Sequence, residues 1–574
     1  MARTVSIGAQ DFAELVSENC FYIDKTNFIK EWWENKDKVT LITRPRRFGK
    51  TLNMSMLEQF FSITYKEQGE VFQGLDIWKD EKYRELQGTY PVIFFSLSLV
   101  KERDYQNARA KINELLVQVY EKYSFLKTSG ILGEKELEYY NRVSSNMIDS
   151  DAALALHQMS GFLSRYYGKK VIILMDEYDT PLQEAYLSGY WDEMLPFIRG
   201  LFNATFKTNP YLERAVMTGI TNITGTKFAT QTSNGSALAE TMFSDLNNLK
   251  VVTMTSNSYA SCFGFTEQEV FSAMDEFGMP NKEEAKYWYD GFTIGNLRDI
   301  YNPWSVINFL DEGRLKPYWA NTSSNGLISR LIREGSREIK IQFEQLLSGQ
   351  TIRTDINEEM VFNQLSGNER SVWSLLLAAG YLKIIEIYER EYELSLTNYE
   401  VRQTFEDMVR DWFGEDASDY NDFIKALLRG DIIEMNAYMN EVLFYMVSSF
   451  DGGKKPSSRT TPERFYHGLV LGLLVDLADR YEVTSNKESG FGRYDVMLNP
   501  KCPGDDGIII EFKVNDPDKE GSLEETVQAA LDQIEEKGYA QTLLAQGVEE
   551  NRIRKYGFAF RGKEVLIGGH VAGK

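Results

Sequence analysis

The chain has 574 residues, 43% hydrophobic and 26% charged, which excludes collagen-like, coiled-coil and wholly disordered classes. Lys and Arg number 63 against 85 Asp and Glu, so the formal net charge is −22. That charge argues against coating nucleic acid by bulk electrostatics, yet it leaves room for a nucleic-acid enzyme with a local basic channel. The length corresponds to roughly three to five domains. Cys20, Cys262 and Cys502 are scattered, as are His157, His467 and His570, so neither a disulfide framework nor a zinc centre is expected. The opening MARTVSIGAQDFAEL carries acids and lacks the order of a signal peptide. No stretch approaches the roughly 18 apolar residues of a membrane span. A soluble, cytoplasmic protein without membrane association is expected.

Residues 1–250 alternate strands and helices as a parallel sheet requires. Lys38–Pro45 (KVTLITRP) reads as a strand and Gly49–Tyr65 as a helix. Further strands are predicted at Tyr90–Ser98, Gly168–Asp179 and Arg214–Asn222, the third strand being apolar enough to be covered on both faces. Residues 251–450 read as a helical lid or linker region, with a strand-like patch from Tyr381. The helix after Thr266 opens with a Thr-x-x-Glu capping pattern. DGGKKPSSRTTPE, Asp451–Glu463, is composed as a linker. Residues 451–574 then read as α-β-β-β-α-β, with a helix from Pro462, strands from Glu482, Gly492 and Gly507, and a helix over Leu523–Gly538.

RPRRFGKT, Arg44–Thr51, joins the first strand to the first long helix, where a phosphate-binding loop belongs. Gly49 gives the backbone freedom, Lys50 is placed for the β and γ phosphates of ATP, and the Thr51 hydroxyl is placed for Mg²⁺. Arg44 stands where the usual pattern has the glycine that relieves the turn. Arg46 and Arg47 add positive charge nearby. Asp176 ends a buried strand and is followed by Glu177, suiting them to hold magnesium and to act on the attacking water. Thr218, at the next strand end, is the candidate γ-phosphate sensor. The plainer readings are a basic loop capping a helix and an acidic cap after a strand.

Together with FYIDKT, DEYDTPL, MTGI, FSDLNNL, WYDGF and IYNPWS, this loop resembles the AAA-ATPase-like family over roughly the first 330 residues. The resemblance implies a P-loop ATPase core followed by a helical region, for which a winged helix is one form, with Lys50, Thr51, Asp176 and Glu177 as the nucleotide and magnesium residues. It assigns no arginine finger. Trp288, Tyr289, Tyr301 and Trp304 are expected to pack, and Asp290 and Asn302 to form turns.

Glu511 and Lys513 lie two apart in GIIIEFKVND and therefore share one strand face, with Phe512 on the other. Charge flanked by three isoleucines calls for a partner. Asp495 in GRYDVMLNP can complete a carboxylate pair for Mg²⁺ or Mn²⁺, and Lys513 can assist the water that attacks a phosphodiester. The plainer reading is a salt bridge on a solvated strand. The segment resembles the PD-(D/E)XK nuclease superfamily. That resemblance implies a restriction-endonuclease-like fold with Asp495, Glu511 and Lys513 as its motif, Gln533 as the accessory residue of the following helix, and Glu463 as a helical carboxylate. Tyr494 stands where the short signature has proline. From Asp451 onward 17 basic residues face 21 acidic ones, a net of −4, so nucleic acid must meet a local patch such as Arg552, Arg554, Lys555, Arg561 and Lys563.

The leading reading is an α/β protein with an ATP-binding switch and a Mg²⁺-dependent nuclease acting on DNA or RNA, in defence or mobile-DNA control by fold-level analogy. The alternative is a nucleotide-dependent binding or regulatory protein that recognises nucleic acid or a partner without cleaving it. Homo-oligomerisation is left open by the sequence.

Overall fold

The computed structural model describes residues 3–222, 243, 246–319, 326–333, 336–347, 349–357, 369–389, 391–411, 422–447, 470, 473, 474, 477, 480–485, 488, 489, 492, 493, 495–502, 504–515, 520–561 and 564–570. The chain forms two compact units, Met1–Leu331 with Gly349–Arg402, and Ile332–Ser348 with Gln403–Lys574.

The first unit is built on a five-stranded sheet in which every pairing is parallel. Its strands are β1 (Val39–Thr43), β2 (Val92–Ser96), β3 (Val171–Asp176), β4 (Leu212–Gly219) and β5 (Leu249–Val252), in the order β2-β3-β4-β1-β5. All residues of β1 and β3 are buried, as continuous apolar, β-branched runs covered on both faces should be. Four of these strands fall where the apolar runs place them. β5 does not: its LKVV segment is too short to signal, and the boundary read near residue 250 lands on it. Because β1 lies between β4 and β5, its carboxyl end opens into the crevice where ligands of such sheets bind.

Helix α1 (Lys50–Phe61) leaves β1 through the basic loop and ends at Ser62, whose extended backbone (φ −68, ψ 127) stops the helix short of the expected Tyr65. Met54, Leu57, Phe60 and Phe61 of α1 join Ile42, Val92, Leu174, Val216 and Val252 in the core, against Phe12, Phe28 and Trp32. Each such side chain contributes roughly 1.5–3 kcal/mol when fully buried.

The same unit continues through β6 (Phe265–Thr266), α2 (Glu267–Glu276), α3 (Lys282–Tyr289), β7 (Phe292–Ile294), β8 (Leu297–Tyr301) and α4 (Pro303–Glu312). The Thr266–Glu269 capping box forms as its spacing predicts. Asn302 caps α4 by accepting from the Trp304 N–H. A second antiparallel sheet follows, with β9 (Ile352–Asp355), β10 (Leu382–Tyr388) and β11 (Glu391–Leu396) in the order β10-β11-β9. Helix α5 (Tyr399–Asp411) then begins with a fully buried carboxylate, Glu400. That carboxylate accepts from the Tyr318 and Trp319 N–H groups and from the Ser305 hydroxyl, each at 2.7 Å.

In the second unit, α6 (Asp422–Arg429) and α7 (Ile432–Val447) precede a five-stranded sheet. Its strands are β12 (Tyr481–Ser485), β15 (Val496–Pro500), β16 (Gly507–Val514), β17 (Ile553–Arg561) and β18 (Glu564–His570), in that order, beside a small hairpin of β13 (Glu488–Ser489) and β14 (Gly492–Arg493). Only β16 and β17 pair in parallel. Helix α8 (Leu523–Glu536) covers one face through Val527, Leu531 and Ile534 against Met497 and Ile509. The other face packs Ile508, Ile510 and Phe512 with Phe423, Leu427, Met435 and Met439, so the helices read from sequence as part of the middle region contribute to this core. Of the helix expected from Pro462, Val470, Leu473 and Leu474 are described as helical; Glu463 lies outside the described residues. Asn436 and Asn440, one turn apart on α7, each bond both the N–H and the carbonyl of an edge residue, Ile567 and Val565. They supply the partners that edge strand β18 lacks on that side.

Burial pushes the Glu400 carboxyl up from 4.5 to about 7. The folded state therefore binds more protons than the unfolded state between those values, and wild-type stability falls as pH rises through that window. Relative to Glu400→Gln, which cannot ionise, the wild type should lose thermal stability from about pH 4.5 to about pH 7 and change little above. Parallel melting curves across that range check this; a constant difference would refute it.

Candidate functional site

The loop leaving β1 solves its conformation differently from the usual glycine pattern. Arg44 is not among the residues with positive φ; the left-handed positions are Arg47 (φ 65) and Gly49 (φ 76). Arg44 is instead fully buried, and its guanidinium donates to the carbonyls of Thr43 and Thr253 at 2.8 Å and of Ser258 at 3.3 Å. Burial lowers its pKa to about 10, so it stays charged at neutral pH. The arginine in the glycine position is thus a clamp between the loop and the segment after β5. Gly49 precedes α1, where the helix N-terminus offers free N–H groups.

The Lys50 ammonium donates to the carbonyls of Arg44 at 3.0 Å and Pro45 at 2.8 Å. Burial lowers its pKa, opposed by Glu177, Asp176 and Asp179. The Thr51 hydroxyl donates to Asp176 Oδ2 at 2.8 Å. Asp176 is fully buried, and its other oxygen accepts from Thr218. Burial raises its pKa, and the two hydroxyls oppose the rise. Thr218, the expected sensor, is itself fully buried and supports Asp176. Glu177 has a strained left-handed backbone (φ 51) and accepts from Thr180 at 3.1 Å.

Lys50, Thr51, Arg46, Arg47, Gly49 and Glu177 line one cavity of about 710 Å³, within the range of ligand pockets. Sequence reading missed several neighbours. Asp179 accepts from the N–H groups of Ile220 and Thr221, the Thr221 hydroxyl and Gln183, tying the DEYD turn to the end of β4. Gly219 must be glycine for space: a Cβ there would lie 2.6 Å from Tyr178 and 2.8 Å from Asp179. Asn302 and Trp319 both donate to the Arg46 carbonyl, at 3.3 and 3.1 Å. The Arg47 guanidinium lies 4.2 Å from the ring centre of Trp304. Such a cation–π contact is worth about 0.5–2 kcal/mol.

Asp290, expected in a turn, is the C-cap of α3, and its carboxylate clusters with those of Glu267 and Asp299. Lys286 pairs with Glu267 and Asp299, and the Lys383 charge also acts on Asp290 and Asp299. Lys286 thus pairs two of the three carboxylates, while burial pushes the Asp290 carboxyl up to about 7, with Asp299 adding to the rise.

In the second unit the register Val496↔Ile510 places Asp495 beside the Glu511 end of β16. Asp495 lies on the bend before β15 rather than within the strand expected from Gly492. There its Oδ2 accepts from the Phe512 N–H at 2.8 Å. Glu511 and Lys513 share the face that carries Ile509, under α8, while Phe512 enters the opposite core. Gln533 of α8 bridges them: its amide donates to Glu511 Oε1 and its carbonyl accepts from Lys513 Nζ at 2.7 Å. Glu511 is 3% exposed. Two carboxylates and a lysine in one partly buried place are a donor set suited to a hard divalent cation and an anionic substrate. Tyr539, unassigned from sequence although it ends LDQIEEKGY, lies 3.5 Å from Gln533, and burial raises its pKa.

The candidate basic patch does not present free charge. Arg552 and Arg554 pair with Asp506, Lys555 with Glu535 and Arg561 with Glu564; Lys563 lies outside the described residues.

Residues 6–229 match the family described as predicted AAA-ATPase, and residues 461–569 match the PD-(D/E)XK nuclease superfamily. The chain carries both an AAA-ATPase-like region and a PD-(D/E)XK region. A protein from Azotobacter chroococcum mcd 1, described as an uncharacterised protein in the vnfD 5′ region, is 25% identical over 564 residues, covering 95% of this chain and 94% of the relative. A solved STAND (Signal Transduction ATPase with Numerous Domains) protein with a tetratricopeptide repeat sensor, from Pyrococcus horikoshii, is 13% identical. That similarity has a TM-score of 0.23 and covers 80% of this chain and half of that one, too distant to carry a functional conclusion. Among the described residues no helix is long and apolar enough to cross a membrane.

The AAA-ATPase-like region should depend on the Arg44 clamp for stability. Arg44→Ala leaves buried carbonyls without their donor and should destabilise the protein by roughly 1–3 kcal/mol. Arg44→Lys, which keeps charge but not the fork, should fall between. Denaturant titration gives the values, and a variant as stable as wild type would overturn the clamp.

Proposed function

We propose that the protein binds ATP in the 710 Å³ cavity of its AAA-ATPase-like region and hydrolyses phosphodiester bonds of nucleic acid in its PD-(D/E)XK region. The carrying observation is the Glu511–Gln533–Lys513 chain beside Asp495, which joins the three candidate motif residues to the accessory Gln533. The donor set fits Mg²⁺ or Mn²⁺, held by Asp495 and Glu511. The ion would supply a Lewis acid and a water of lowered pKa. Lys513 orients the water and offsets charge that develops on the phosphate. Water oxygen forms the new P–O bond, the sugar oxygen leaves, and that oxygen gains a proton. Gln533 holds Glu511 and Lys513 in register.

In the first region Lys50 supplies charge to the β and γ phosphates, with Gly49 opening the helix that receives them. Thr51 and Asp176 suit a magnesium ion through hydroxyl and carboxylate oxygens. Glu177 acts on the attacking water, and Thr218 fixes Asp176. Nucleotide state is proposed to govern the nuclease, in the cytoplasm and in defence or mobile-DNA control. The coupling rests on the joining of the two regions in one chain, and the setting on fold-level analogy. Homo-oligomerisation is one route for such control. A second reading is nucleotide-dependent binding of nucleic acid or a partner without cleavage; the pairing of Arg552, Arg554, Lys555 and Arg561 with acids favours its partner branch.

The wild type with Mg²⁺ or Mn²⁺ should cleave at least one of single-stranded DNA, double-stranded DNA and RNA, with ATP altering the rate and EDTA stopping it. Asp495→Ala should abolish metal binding and cleavage. Lys513→Ala should bind metal but cleave about 10²-fold more slowly, the usual loss for one electrostatic group. Metal-loaded wild type that cleaves none of these substrates would sink the nuclease reading in favour of the second. Glu177→Gln should retain ATP binding and lose most hydrolysis, as a phosphate-release assay beside calorimetry will show.

A further inference from the structure

Arg47 has no assigned part in the reading above, and three observations single it out. Its backbone is left-handed (φ 65) although it is not glycine, so the loop holds this side chain at a conformational cost. Its guanidinium lines the same cavity as Lys50, Thr51 and Glu177 and rests 4.2 Å from the ring centre of Trp304, which lines that cavity too. Glu177, the candidate water-directing carboxylate, lines that cavity beside Arg47 and Lys50, so the three residues face one space.

We infer that Arg47 is the group by which this chain tells a nucleoside triphosphate from a diphosphate. Its guanidinium, which lies against Trp304, exchanges the ring for the terminal phosphate when a triphosphate binds. The chemistry favours the exchange. A planar guanidinium prefers a bidentate phosphate to a ring face, and the γ position is the one beside a water-directing carboxylate such as Glu177. Arg46 is unsuited to the exchange, because its side chain is turned to Gln183 at 3.4 Å and its carbonyl is held by Asn302 and Trp319. Those bonds fix the backbone beside Arg47 while leaving its side chain able to swing. Trp304 acts as a positioning residue. The arginine that many phosphate-transfer sites take from elsewhere is here contributed by the loop itself.

This inference rests on the nucleotide reading, and calorimetry with ATP and with ADP separates the two. Arg47→Ala should lower the ATP-to-ADP affinity ratio at least ~10-fold, about 1.4 kcal/mol, with ADP affinity little changed. Arg47→Lys should restore only part of the ratio. In the emission spectrum, the difference between wild type and Trp304→Phe isolates that ring; ATP but not ADP should change it, and the change should vanish in the Arg47→Ala background. Lys50→Ala should weaken both nucleotides at least ~10-fold. If Lys50→Ala weakens both while Arg47→Ala leaves the ratio unchanged, the inference is overturned and the nucleotide reading stands. If Lys50→Ala, verified as folded by circular dichroism, binds both nucleotides as the wild type does, both fall.

Discussion

The AAA-ATPase-like region depends on one buried carboxylate. Asp176 ends β3 with no exposed surface, and its oxygens are met by Thr51 from α1 and Thr218 from β4. A charge in that position is tolerable only when hydrogen-bonded and near a cation. The nearby Lys50 supplies that cation, and Lys50 is itself kept in place by carbonyls of its own loop. Three chain segments distant in sequence are therefore held at one point. The Asp179 turn repeats the device a few residues on, with a carboxylate again receiving donors from the end of β4.

The PD-(D/E)XK region meets the same difficulty with strand alternation. β16 is buried on both faces, so its odd and even residues enter two different cores. Ile508, Ile510 and Phe512 take one; Ile509 takes the other, and Glu511 and Lys513 emerge on its rim where α8 ends. Gln533 can join them because an amide both donates and accepts, which no apolar or purely acidic residue at that helical position could do.

Much of this was legible in the sequence where the signal is local. Apolar runs located β1 to β4, the Thr266–Glu269 spacing located a capping box, and the alternation in GIIIEFKV placed Glu511 and Lys513 together. The illegible parts were those decided by distant partners. Arg44 read only as a departure from the usual glycine because its carbonyl partners, Thr253 and Ser258, lie some two hundred residues away. The arginines after residue 550 counted as a basic patch because composition does not show that Asp506 and Glu564 face them. Helices α6 and α7 showed their apolar stripes but not the sheet they serve. Asp495 was displaced from strand to bend because its carboxylate, rather than its backbone, pairs with β16.

The Arg44 clamp also constrains descent. Exchange to glycine would restore the familiar loop pattern in writing while removing the donor from the interior carbonyls of Thr43, Thr253 and Ser258. The loop and the segment after β5 can therefore drift only as a pair. A lineage crossing between the two loop types passes through an intermediate less stable than either end. Such an arginine behaves as a ratchet: once the buried carbonyls have turned toward it, a glycine there is no longer a neutral choice.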